Sequence, residues 1–277
     1  MQVAAEAKLP YLGTNGFPLQ SGAVYGPIHS RRYGYSLGIN PLPVSYKLCD
    51  FDCVYCQYGW TPKGVGEERT DSGEKKPREK FKPAALLLQE IEEAFQKVSS
   101  EHVPIRVITI AGNGEPTLHP EFPELVDSLL ELRTRYFRSA PLGILSDASQ
   151  CHRTSIKDAL EKLDERCMKL DAGDSETIQM INRPRGDFRL ERTVEALKNL
   201  KDVTLQAMFL TGSYDNTHEE QVKDWIDRVQ YVSPMQVQVY TIDRPPADSK
   251  ILAVETLVLQ KIAEQCYRQT GIPTEVF

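Results

Sequence analysis

From residue 83 onward the apolar positions alternate between two periods. PAALLLQEIEEAFQKV, starting at Pro83, repeats at helical spacing, and its proline suits a first turn. IRVITIAG is a short β-branched run ending in glycine. The pattern then continues: helix (EFPELVDSLLELRTRYF), strand (PLGILSDAS), helix (SIKDALEKL), strand (RCMKLDAG), helix (LERTVEALKNL), strand (VTLQAMFL), helix (EEQVKDWIDRVQYV), strand (MQVQVYTID), helix (LAVETLVLQKIAEQCYRQ). IPTEVF is expected as a short last strand. Upstream, Tyr33 to Ile39 reads as a strand that Pro41 and Pro43 end. Residues 1–24 show no period and read as an irregular arm. About six β–α units with short connections predict a mainly parallel sheet, either open or a partial barrel.

The strands have unequal faces. Thr204, Gln206 and Met208 share one side of their strand, and Leu205, Ala207 and Phe209 the other. Gln236, Gln238 and Tyr240 oppose Val237 and Val239, and Cys167, Lys169 and Asp171 oppose Met168 and Leu170. Parallel strands buried on both faces should be nearly all apolar. A recurring polar face points instead to a wide, incomplete barrel with a polar lumen.

Residues 61–82 are charged and poor in large apolar side chains, so they are expected to form a mobile surface excursion, with a substrate-contacting flap as the alternative. This divides the chain into an arm (1–24), a core (25–250, with the insertion at 61–82) and a C-terminal helix and strand (251–277). The net charge of −6 argues against a broad nucleic-acid-binding face. No apolar run is long enough for a membrane span, and no signal-peptide core follows the first residues, so the expected compartment is the cytoplasm.

Six cysteines are too few for a disulfide scaffold in 277 residues, yet Cys49, Cys53 and Cys56 fall within one short segment. Thiolates suit zinc or iron–sulfur clusters. Structural zinc would need a fourth ligand at motif spacing, and neither His29 nor His102 is placed to give one. Three thiolates can hold three irons of a [4Fe–4S] cube and leave the fourth open to a small molecule. Cys151, Cys167 and Cys266 have the wrong spacing for a second cluster.

CxxxCxxC is the signature of the radical S-adenosylmethionine superfamily, which this chain resembles at Cys49, Cys53 and Cys56. The resemblance implies that Tyr55, before the last cysteine, packs near the adenine of S-adenosylmethionine. It also implies that Gly112, Asn113, Gly114 and Glu115, in GNGEP, lie along the methionyl amino group, with Asn113 standing where the family has a glycine. The implied fold is a partial (β/α)6 barrel spanning about Tyr33 to Asp243. The implied chemistry is reductive cleavage of S-adenosylmethionine to a 5′-deoxyadenosyl radical, which takes a hydrogen from the substrate. One [4Fe–4S] cluster and S-adenosylmethionine are the expected cofactors, and an external electron donor of flavodoxin or ferredoxin type is the expected partner. More narrowly, GPIHSRRYGYSLGINPLP, KLCDFDCVYC, GNGEPTLHPEF, KLDAG, NRPRG and YTIDRPP are similar to a group of Fe–S oxidoreductases related to the tRNA wyosine-synthesising enzymes and, more distantly, to molybdenum cofactor enzymes.

Active sites of β/α folds gather at the C-terminal ends of strands. There Ser146 and Asp147 are candidates for ribose or methionyl contacts, and Gln206 for ribose or substrate. Lys169 either meets the methionine carboxylate or pairs with Asp171. Asn182, Arg183 and Arg185 form a candidate anion-binding loop, in which Pro184 should hold Arg183 extended. The bland alternative has both arginines bracing that loop through Asp187 or Glu191. Arg31, Arg32 and Arg244 are candidates for the same mouth, and Tyr240 and Asp243 for the substrate space. The sequence thus reads as a radical oxidoreductase or transferase acting on a small molecule or peptide. The alternatives are a tRNA base-modifying radical enzyme, which the acidic balance disfavours, and a non-catalytic iron–sulfur or zinc interaction module.

Overall fold

The computed structural model describes residues 11–30, 34–62, 68–69, 75–76 and 81–277. Strands β1 (Val24–Ser30) and β2 (Gly34–Ile39) form an antiparallel hairpin. A two-residue pair, β3 (Glu68–Arg69) with β4 (Lys75–Lys76), follows. The regular part then runs α1 (Ala84–Ser100), β5 (Val107–Ile110), α2 (Phe122–Tyr136), β6 (Leu142–Ser146), α3 (Thr154–Leu160) and β7 (Glu165–Lys169). It continues with α4 (Ser175–Ile181), α5 (Leu190–Lys198), β8 (Val203–Met208), β9 (Leu210–Gly212), α6 (Glu219–Val232), β10 (Gln236–Tyr240), β11 (Ile251–Ala253), α7 (Thr256–Thr270) and β12 (Thr274–Val276).

The main sheet has the order β1-β2-β5-β6-β7-β8-β10-β12. All its pairings except β1–β2 are parallel, and among the described residues its end strands do not pair, so the barrel is partial, in line with the strand faces. Helix α1 packs on α2, α2 on α3, α5 on α6 and α6 on α7. On α1, Leu87, Ile91, Phe95 and Val98 recur at helical spacing and are buried against the sheet. Each such fully buried side chain contributes about 1.5–3 kcal/mol relative to exposure. From β8 to α6 the seal is Phe209 against Trp225, edge to face at 5.1 Å, with the indole N–H donating to Leu170 O at 2.9 Å.

Register aligns the polar face across strands. Cys167 pairs with Thr204 and Thr204 with Gln236, while one row up Lys169 pairs with Gln206 and Gln206 with Gln238. The amide of Gln206 donates to Gln238 at 2.8 Å. The lumen is therefore lined by hydrogen-bonded polar groups, as their burial requires.

Several elements differ from the sequence expectation. β1 was hidden by Gly26 and Pro27, and it adds an antiparallel edge. The last helix starts at Thr256 rather than 252, because 251–253 pairs with β9 in a small separate sheet. Helix α4 is short, and Asp174 caps it by accepting from Thr177 N at 2.8 Å. The arm is folded from residue 11, where Leu12 bridges Pro18. Most of the excursion at 61–82, with Arg31 and Arg32, lies outside the described residues. Among the described residues no helix is long and apolar enough to cross a membrane.

Candidate active site

The segment carrying Cys49, Cys53 and Cys56 has no regular structure of its own and is held by its neighbours. On one side Leu48 N donates to Asn113 O at 2.7 Å, and Glu115 N to Leu48 O at 3.0 Å. The chains come so close that a Cβ on Gly114 would lie 1.7 Å from Leu48 O, and Gly114 has φ +146°. On the other side Asp52 N donates to Asn182 O and Val54 N to Ile181 O, both at 2.9 Å, while Arg185 N donates to Asp50 O at 2.7 Å. Asp248 N closes a third edge on Val54 O at 2.8 Å. The arm covers the end of the segment: Asn15 Nδ2 donates to Gln57 O at 2.9 Å, and Trp60 N to Thr14 Oγ1 at 2.6 Å. Between arm and loop lies an open cleft of about 430 Å³ bordered by Tyr11, Tyr46, Lys47, Tyr58 and Trp60.

All three cysteines are free thiols. Phe51 N donates to Cys49 Sγ and Asn182 Nδ2 to Cys53 Sγ, each at 3.4 Å. Burial raises the Cys49 thiol well above its ordinary range, helped by the charge of Asp147 and opposed by Lys47. Burial also raises Cys53, with Lys169 opposing. Lys47, which no sequence motif singles out, is only 3% exposed; its ammonium donates to Gly59 O at 2.9 Å. Burial pulls its pKa down, but the charges of Cys56, Cys49 and Cys53 outweigh that and raise it.

A buried acidic group flanks Cys49. Glu115 Oε1 accepts from Thr117 N at 3.0 Å and from Ser146 Oγ at 2.9 Å; Oε2 accepts from Asp147 N at 2.6 Å. Glu115 and Ser146 thus brace the loops after β5 and β6 against each other. Burial raises Glu115, and it raises Asp147 well above the carboxylate range, with Glu115 and Asp50 adding to the effect. Cys49, Asp50 and Asp147 offer ligand atoms within 4.8 Å of one another, a set able to hold a metal ion. Asn113 is fully engaged elsewhere: its side chain accepts from Gln20 N at 2.8 Å and donates to Gln20 O at 2.9 Å and Pro43 O at 3.0 Å. Gly112 lies beside Asn40. Cys151 is buried within reach of the charges of Glu115 and Asp147.

Deeper in the lumen, Lys169 donates to the Tyr55 hydroxyl at 2.6 Å and lies 3.6 Å from Asp171 Oδ2. Lys169 and Asp171 thus form an ion pair within the lumen. The Tyr55 hydroxyl donates to Asp171 Oδ2, and Asn182 Nδ2 donates to the same oxygen at 2.6 Å. Asp171 Oδ1 accepts from Met208 N at 2.9 Å. Burial alone would lower Lys169; Asp171 and Cys53 raise it well above its ordinary range. Tyr55 is raised by burial and then by Asp171. Tyr240 is half-buried beside this network.

The arginines need correction. Arg183 is not extended but left-handed, with φ +48°. It ends α4, its N–H bonding Ile178 O at 3.1 Å, and helix termination outweighs the bias of Pro184. Its guanidinium donates to Tyr214 OH at 2.6 Å and stacks 4.8 Å from the Trp60 ring centre. Arg185 braces the cysteine segment, donating to Asp52 Oδ2 at 2.9 Å and Thr61 O at 2.8 Å. Neither arginine uses Asp187 or Glu191, which pair with Arg189, Arg192 and Arg228. Arg244 bonds Gln57 Oε1 at 2.5 Å.

The sequence model described as the Radical SAM superfamily matches residues 44–228, a stretch holding the cysteine segment, both loops that clamp it and the four central strands of the sheet. The chain is 30% identical over 230 residues to the UPF0026 protein slr1464 of Synechocystis sp., covering 80% of this chain and 76% of the other. It is 28% identical over 242 residues to the UPF0026 protein MJ1312 of Methanocaldococcus jannaschii, covering 86% and 69%. In fold it is similar to Streptococcus suis SuiB bound to S-adenosylmethionine (TM-score 0.57, 18% identity, 84% of this chain). The chain spans 48% of SuiB, about half its length. It is also similar to TYW1 with a lysine–pyruvate adduct bound (TM-score 0.58, 14% identity, 85% and 74%). Family match and fold together make it a radical SAM enzyme, and Cys49, Asp50 and Asp147 offer it a candidate metal-ligand set. The chain belongs to the Radical SAM superfamily and, within it, stands with the UPF0026 proteins.

Proposed function

We propose that Cys49, Cys53 and Cys56 hold one [4Fe–4S] cluster whose open iron takes S-adenosylmethionine. The observation that carries this is the preparation for anionic sulfur. N–H groups are aimed at Cys49 and Cys53, and the buried ammonium of Lys47 lies within electrostatic reach of all three sulfurs. Free thiols would gain nothing from such a setting, since burial only holds them protonated. When bound, the group supplies an electron that splits S-adenosylmethionine into methionine and a 5′-deoxyadenosyl radical able to take a hydrogen from a substrate.

The chain's own residues fix geometry. Gly112, Asn113 and Gly114 keep the cysteine segment against β5 and offer main-chain groups to the methionyl end, while Glu115 and Ser146 stiffen that wall. Tyr55, Lys169 and Gln206 line the cofactor side of the lumen. Arg183 and Tyr240 face the substrate, a small molecule or peptide. Arg185, spent on Asp52, has a bracing role, so the anion contact falls to Arg183. The likeness to TYW1 is one of fold and assigns no tRNA substrate. An external flavodoxin- or ferredoxin-type donor supplies the electron.

Anaerobic iron and sulfide counting on reconstituted protein tests the assignment. About four irons per chain are expected, falling to background when the three cysteines are replaced by alanine. Zinc without iron, or about eight irons, would overturn it.

A further inference from the structure

Asn182 stands at the C-terminal end of α4 and is 0% exposed. Its main-chain carbonyl holds Asp52 N, so it cannot drift from the cysteine segment. Its side-chain nitrogen has three acceptors around it: Asp171 Oδ2 at 2.6 Å, Tyr55 OH at 3.1 Å and Cys53 Sγ at 3.4 Å. Its oxygen, Oδ1, is buried without a hydrogen-bond partner.

An amide nitrogen has two hydrogens. Asp171 takes one. The second lies between the Tyr55 hydroxyl and the sulfur, and Tyr55 already accepts from Lys169. Turning the amide over would set its oxygen against the Asp171 carboxylate and against the sulfur, which is unfavourable on both sides. The orientation is therefore dictated by negative neighbours, and the orphaned oxygen is the cost of that orientation.

Asn216 provides the contrast. It is equally buried and also touches Asp171, but through the main-chain carbonyl, at 3.2 Å. Its other bonds, to Met208 O and from Leu210 N, are both 2.9 Å, so both ends of the amide are satisfied. Asn216 is explained by the fold. Asn182 is not: its nitrogen serves a sulfur and its oxygen serves nothing.

We propose that Asn182 is a positioning residue that donates a hydrogen bond to Cys53 sulfur and so raises the reduction potential of the cluster. The inference rests on the cluster assignment above. An N–H dipole aimed at a cluster sulfur stabilises the reduced form, which carries one more negative charge. In a buried site that effect is barely screened.

The test is a potentiometric titration of anaerobically reconstituted full-length protein, poised with dithionite and followed by the paramagnetic resonance of the reduced cluster. Asn182→Leu and Asn182→Ser should keep the wild-type iron content. Their reduction equilibrium should fall about tenfold, which is about 59 mV for one electron. Asn216→Ala should lose thermal stability at unchanged potential. Wild-type potentials in both Asn182 variants at full iron content would overturn the proposal. If those variants do not load iron, wild-type protein carrying ¹⁵N only in asparagine side chains gives the answer: a ¹⁵N coupling to the reduced cluster supports it, and none overturns it. Absence of iron from the wild type would instead overturn the cluster assignment itself, and this inference with it.

Discussion

Leu48 O and Gly114 are in such close contact that no other residue fits at 114: an added Cβ would meet that oxygen at 1.7 Å. The contact joins the first two loops of the barrel, and it turns the glycine of GNGEP into a spacing device for the cysteine segment. Gly114→Ala should cost about 1–3 kcal/mol in backbone strain alone, with displacement of Leu48 added. The melting temperature should fall by at least about 2 °C, and the reconstituted variant should bind less iron. Wild-type iron content and melting temperature would show that the segment tolerates the displacement.

Arg183 and Arg185 should separate in their effects. Arg185→Ala removes a charge-assisted bond to Asp52 and one to Thr61 O. The pair is partly solvent-screened, so the loss should lie near the low end of about 1.5–3 kcal/mol, read as thermal stability. Arg183→Ala removes a stacked guanidinium and should leave stability and iron content near wild type while lowering substrate-dependent deoxyadenosine formation. Equal loss of stability with unchanged turnover in both would assign both to bracing.

The metal-free protein should be alkali-sensitive. Cys49 and Cys53 have folded pKa values raised above the ordinary thiol value of 9.0. The folded state then holds protons that the unfolded chain has released, so their contribution to stability is full below pH 9.0 and is lost as pH rises through the folded values. Thiolates bound to a cluster no longer titrate. Melting temperatures at pH 7.5 and 9.5 should therefore diverge for metal-free protein more than for reconstituted protein. Equal pH dependence in the two forms would contradict this.

What the sequence revealed and what it hid divide along a physical line. The cysteine spacing and the polar parity of Lys169, Gln206 and Gln238 are local, and both are readable without a structure. The clamp on the cysteine segment is not local. Leu48 meets Asn113 and Glu115, and Asp52 meets Asn182, across separations that no periodicity encodes. Lys47 carries no local signal of burial, because only tertiary packing buries it. At Arg183 the local bias from Pro184 yields to the stronger demand of ending α4. Arg185 has the residue type of an anion receptor, but the fold gives it Asp52 first.

The proposed function turns on S-adenosylmethionine binding at an iron left open by Cys49, Cys53 and Cys56. The most direct measurement is the paramagnetic resonance spectrum of the reduced, reconstituted protein with and without saturating S-adenosylmethionine. S-adenosylmethionine should change the spectrum, and alanine at any of the three cysteines should abolish the signal. A spectrum that S-adenosylmethionine leaves unchanged would contradict it.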